Sequence, residues 1–145
     1  MKRFVVLLIT AVLITSTAYA IDHEKFSIYS EVFGASDIDD SKAEKSDDRI
    51  RYYQDGCIIT FRHKDGEIVS ALIQGDGDKF LAYCYGIMMQ FDPDSSHAAQ
   101  NGGQLLGYYL MSHGDMQDEH LGFTVSGCSF TLKKEDEGFS FVIMK

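Results

Sequence analysis

The sequence predicts an α+β fold, a single antiparallel sheet built from two three-stranded meanders with helices packed on one face. Three observations carry this expectation. Asp55-Gly56-Cys57-Ile58-Ile59-Thr60-Phe61 is echoed 71 residues later by Ser126-Gly127-Cys128-Ser129-Phe130-Thr131-Leu132, with Gly, Cys and Thr in register. The flanks agree in kind, Tyr52 with Phe123, Arg62 with Lys133, Asp65 with Asp136 and Leu72 with Ile143, a pattern that fits an internal duplication. Between the two copies lie two stretches whose apolar residues recur at helical spacing.

Residues 1–20 have the layout of a secretory signal peptide: a basic start at Lys2 and Arg3, an apolar run from Phe4 to Ile14, and an Ala18-Tyr19-Ala20 cleavage site. Residues 21–145 then form one domain, expected in the bacterial periplasm, with no lipid anchor and no further segment for membrane insertion. Loss of the leader leaves 11 basic residues against 22 acidic ones, a net charge of about −11. Such a balance disfavours nucleic acid and anionic membranes, which recruit basic patches, and favours a basic protein partner.

Asp22 to Phe33 has a short, imperfect helical spacing of Phe26, Ile28, Tyr29 and Phe33, closed by Gly34. From Ala35 to Asp48 acids dominate, including Asp37, Asp39 and Asp40, and a solvated, mobile loop is expected because the calcium-hand spacing is missing. Arg49 to Ile73 reads as the first meander. Ile50 and Tyr52 alternate, then Cys57, Ile59 and Phe61, while Asp55-Gly56 and Asp65-Gly66 supply the positive φ of tight hairpins.

After the Gln74–Asp78 break, Phe80, Cys84, Ile87, Met88 and Phe91 share one face of a helix from about Lys79 to Phe91, with Leu81 beside them. Asp76 or Asp78 caps its start, and Pro93 prevents its continuation. A second helix runs from Ser95 or Ser96 to about Met111, with Ala98, Gly102, Leu105, Leu106, Tyr109 and Leu110 as its stripe. Gly102 and Gly103 weaken it, and close helix packing is the ordinary reason to keep them. The second meander fills His120 to Met144, with Lys145 expected at the sheet edge.

Three cysteines in an oxidising compartment permit one disulfide and one leftover thiol. The repeat favours Cys57 with Cys128, and Cys84 reads as a buried small hydrophobe. The densest metal-like cluster is His113, Asp115, Asp118, Glu119 and His120, whose spacing matches no established metal motif, so a solvated loop is the plainer reading. His63 and His97 stand alone and are expected at the surface. No Gly-x-Ser-x-Gly elbow, Cys–His signature or P-loop is present, and no cofactor is implied.

Tyrosine is the more informative residue. Tyr53, Tyr85 and Tyr108 each fall off their predicted apolar face, where a phenol ring gives contact area at low entropic cost. With Asp37, Asp39 and Asp40 they form the candidate binding surface. The expectation is an exported, non-enzymatic binding protein, an inhibitor or immunity factor against a basic envelope-targeting enzyme. Its rivals are a metal-binding protein or hydrolase centred on residues 113–120, and an envelope assembly or secretion accessory protein.

Overall fold

A computed structural model describes residues 38–91, 95–112, 120–125 and 127–145. The leader, the helix expected from Asp22 to Phe33, Asp37 and the stretch His113 to Glu119 lie outside the described residues. In chain order the elements are β1 (Glu44–Ser46), β2 (Arg49–Gln54), β3 (Cys57–Lys64), β4 (Glu67–Gly75), α1 (Gly77–Phe91), α2 (Ser95–Ser112), β5 (His120–Val125), β6 (Cys128–Lys134) and β7 (Phe139–Met144). All seven strands form one antiparallel sheet in the order β1-β2-β3-β4-β7-β6-β5.

The turn chemistry explains the hairpins. Asp55 and Gly56 sit at φ 53° and 74°, and Asp65 and Gly66 at 53° and 87°, so each pair occupies the two left-handed positions of a two-residue turn. The turn at Asp55-Gly56 fixes the register on either side, with Gln54 opposite Cys57 and Arg49 opposite Arg62. His120 faces Lys133 in the second meander, and both of those residues stand 71 positions beyond Arg49 and Arg62. The repeat seen in the sequence is therefore also a repeat of strand register.

The two meanders meet through their last strands, where Ala71 pairs with Ile143 and Leu72 with Val142. An approximate two-fold axis through this junction relates them. β7 is thus an interior strand, and the expectation that the chain end would mark the sheet edge is overturned. A bulge between Arg62 and His63 shifts the β3–β4 register, whereas β6 and β7 pair in a single register. Ile73 consequently faces Ile59 as Ile143 faces Phe130. The counterpart of Ile143 is Ile73, one residue beyond the Leu72 that simple alignment selects.

Alternation sorts most strand residues, although Thr60 and Ser140 on the opposite face are buried as well. Ile50, Tyr52, Ile59, Phe61, Ile73, Phe130, Leu132, Phe141 and Ile143 point into the core, with both helices on that side. α1 begins two residues before the expected Lys79 and is buried on every side along its middle, since all residues from Phe80 to Met88 are buried. α2 packs across it through Leu105 and Tyr109, and Gly102 lets the ring of Tyr85 approach the helix backbone. Leu110, expected on the same stripe, is 63% exposed.

Two local readings change. The described part of the acidic stretch is structured: Ile38 is buried, Asp39 caps a 3-10 turn over Asp40–Lys42, and Glu44–Ser46 adds β1 to the sheet. His63, read as a surface residue, is buried on the core side of β3.

Candidate binding face

The two-fold arrangement decides what the cysteines can do. Cys57 and Cys128 lie on β3 and β6, with β4 and β7 between them, so about three strand spacings, roughly 14 Å, separate them sideways. They also stand at opposite ends of the sheet: Cys57 is beside Gly75, while Cys128 precedes Ser129, which pairs with Met144. A disulfide requires Cα atoms within about 7 Å. The expected Cys57–Cys128 staple is incompatible with this register, and the three cysteines are buried free thiols.

Nor are the thiols set up as nucleophiles. Burial, followed by the Asp55 charge, pushes Cys57 up to about 11, and burial raises Cys84 well above the ordinary thiol range. The Cys128 thiol faces the Phe91 carbonyl oxygen at 3.6 Å.

Several candidate residues turn out to fasten the fold. The Tyr85 hydroxyl is buried and donates to the Gly102 carbonyl, so this ring is a helix–helix contact and offers no binding surface. Sequence spacing placed it off the apolar face, but no residue of α1 between Phe80 and Met88 faces solvent. Tyr108 is half-buried, and its carbonyl accepts from the Ser112 hydroxyl at 2.6 Å. Asp39 accepts from the Ser41 hydroxyl and backbone N–H and pairs with Lys42 at 3.2 Å; the Ser41 bonds, then Lys42, hold its carboxyl below the usual range. Asp40 accepts from the Tyr52 hydroxyl at 2.6 Å, which joins the acidic stretch to the sheet.

Two further tyrosines anchor α1. Tyr83 donates to Asp55 and accepts from the Gln54 amide at 2.8 Å, while Lys79 pairs with Asp55 at 3.3 Å. The Tyr109 hydroxyl donates to Asp76 at 2.6 Å and accepts from Gly77 N–H at 2.8 Å, completing the cap of α1 from the neighbouring helix.

His120 opens β5 as an exposed residue opposite Lys133. The remaining members of its cluster, His113, Asp115, Asp118 and Glu119, are outside the described residues. Among the described residues no group of three or more His, Cys, Asp or Glu side chains is placed to hold a metal ion.

What remains is the other side of the sheet, which no described element covers. Tyr53 lies here, 49% exposed, together with Arg49, Arg51 and Arg62. These are all the arginines of residues 21–145, gathered on two neighbouring strands of a strongly acidic chain. Arg49 faces Arg62 directly, a like-charge pairing that costs a strand pair a few tenths to about 1 kcal/mol.

Arg51 is held in place from three sides. Its Nε donates to Thr60 Oγ1 at 3.2 Å and its guanidinium to the Tyr53 hydroxyl at 3.4 Å, while Glu44 stands opposite on β1 and accepts from Tyr53 at 3.2 Å. Tyr53 first, and the Glu44 charge after it, raise the Arg51 pKa further. Arg62 approaches Asp48 at 3.9 Å. Arg49 is partly buried, and its guanidinium makes no hydrogen bond or ion pair with the described residues. Beside it is a hollow of about 280 Å³ lined by Glu44, Lys45, Ser46, Arg49 and Arg51.

Charge totals hide this cluster, yet the sequence contains the signal for it. Residues 49 and 51 share a strand face, and a two-residue turn at Asp55-Gly56 sets Arg62 opposite Arg49.

Together these features define an α+β protein with a seven-stranded antiparallel sheet covered on one face and presenting arginines on the other. The chain matches no protein-family model, no curated protein and no solved structure. No helix among the described residues is long and apolar enough to cross a membrane.

Proposed function

We propose that this is an exported, non-enzymatic binding protein that recognises its partner through the sheet face opposite α1 and α2, which no described helix covers (hereafter the helix-free face). The observation supporting the reading is the exposed Tyr53 set among Arg49, Arg51 and Arg62, on a face that no described element covers. Tyrosine and arginine are the residues most enriched where binding energy concentrates. An inhibitor or immunity factor for an envelope-targeting enzyme falls in this class, and so does an envelope assembly or secretion accessory protein. The acidic total argues for a basic partner, but Asp39 and Asp40 are engaged within the fold and the exposed face is arginine-rich. The binding reading is therefore retained with the face moved from the acids to the sheet.

Site-specific photo-cross-linking in envelope extract tests it. Cross-linkers replacing Tyr53 and Thr131 on the helix-free face, compared with one replacing Leu110 on α2, should capture a partner from the sheet positions alone. Capture confined to Leu110 would refute the reading. Genes beside this one separate its subclasses: a toxin or hydrolase favours immunity, secretion machinery the accessory role.

A further inference from the structure

We propose that the hollow lined by Arg49 and Arg51 is a binding site for a phosphoryl group. The inference rests on the helix-free face being the recognition surface, and it names the chemistry recognised there.

Arg49 supplies the central argument. The residue is partly buried, its guanidinium bonds to none of the described residues, and it stands opposite Arg62 on the next strand. Folding gains nothing from setting two like charges side by side, whereas an anion held at Arg49 offsets that repulsion. Arg51 is already oriented by Thr60 and Tyr53, so it loses little freedom on engaging a ligand. The hollow of about 280 Å³ has room for a phosphoryl group and part of the molecule that carries it.

Charge and shape select the ligand class. Lys45, Arg49 and Arg51 line the hollow with a single carboxylate, Glu44. Glu44 accepts from the Tyr53 hydroxyl, and Arg62, opposite Arg49 on β3, pairs with Asp48 at 3.9 Å. The surplus is two positive charges, which matches a phosphate dianion. A planar carboxylate is satisfied by a single guanidinium fork, whereas a tetrahedral phosphate accepts from two or three at once.

The test is a titration of the full chain at low ionic strength with pyrophosphate, glucose 6-phosphate and acetate, following arginine Nε–H resonances by NMR. Pyrophosphate and glucose 6-phosphate should give saturable shifts at Arg49 and Arg51, with acetate much weaker. Arg49→Gln should weaken pyrophosphate binding about tenfold or more, as loss of a charge-assisted bond implies. Lys133→Gln, at the far end of the same face, should leave it unchanged. Vesicles of phosphatidylcholine with and without phosphatidic acid distinguish a lipid headgroup from a soluble phosphate ester; binding to either source supports the site. Shifts that fail to saturate, equal shifts with acetate, or undiminished binding in a folded Arg49→Gln protein would overturn it. The cross-linking at Tyr53 and Thr131 reads the binding face independently, so failure of one proposal is distinguishable from failure of the other.

Discussion

The Tyr83 phenol donates its proton to the Asp55 carboxylate, fastening the middle of α1 to the tip of the β2–β3 hairpin. Both partners are shielded, Tyr83 completely and Asp55 with only 14% of its side chain exposed. A hydrogen bond to a charged acceptor in such surroundings is worth about 1.5–3 kcal/mol. Tyr83→Phe keeps the ring and removes the bond, so urea unfolding should show a loss of about that size. Full stability in Tyr83→Phe would mean the bond contributes nothing to holding α1 on the sheet.

Alkaline pH should destabilise the protein through its buried tyrosines and thiols. Burial first, then the carboxylates they face, raise Tyr52 and Tyr83 far above the ordinary phenol value of 10.0 and Tyr109 to about 12. Cys57 rises from 9.0 to about 11. In each case the unfolded chain loses its proton first. The contribution is complete below the unfolded value and declines as pH climbs toward the folded one. Stability should therefore hold to about pH 9 and then fall, by up to about 1.4 kcal/mol per pH unit for each group in its window. Urea midpoints measured from about pH 8 to about pH 11 check this, and a Tyr52→Phe/Tyr83→Phe/Tyr109→Phe protein should show a shallower slope. A flat profile would contradict the burial of these hydroxyls.

Adjacent glycines in α2 should respond to the same substitution with opposite sign. A Cβ on Gly102 would lie 2.2 Å from Tyr85 Cε1, and Tyr85 is fixed by its bond to the Gly102 carbonyl. Gly102→Ala must push the helices apart, at a cost of about 1–3 kcal/mol that exceeds the helix-propensity gain. Gly103 is exposed and meets nothing within 4 Å, so Gly103→Ala should stabilise by about 0.5–1 kcal/mol. Thermal denaturation of the two single variants decides it, and a stabilised Gly102→Ala would refute the packing argument.

These residues also show where the sequence was informative. β2, β3 and β4 are legible because Asp-Gly turns and strict alternation specify both the hairpins and their buried faces. β1 is not, since its three residues are all exposed and leave no apolar signature. Periodicity finds α1 but misplaces Tyr85, because a helix buried on every side has no off-face position. The bulge at Arg62/His63 is a backbone event without a residue signature, and it displaces the Leu72–Ile143 equivalence by one. For the binding face, Tyr53 was recoverable from alternation, whereas the arginine cluster needed strand register as well as composition.

The cysteines provide the last test, and it bears on the sheet order itself. Two-fold repetition makes Cys57 and Cys128 look like natural partners, yet the same symmetry, acting across the β4–β7 junction, carries them to opposite ends of the sheet. All three thiols are buried, and the high pKa of Cys57 and Cys84 leaves little thiolate at neutral pH. Maleimide should therefore label the native protein slowly and the urea-unfolded protein quickly at all three positions, with Cys84, fully enclosed in α1, the slowest in the native state. Non-reducing peptide mapping should show no Cys57–Cys128 bridge. Finding that bridge would require β3 and β6 to be neighbours, and the strand order in which β4 joins β7 would have to be abandoned.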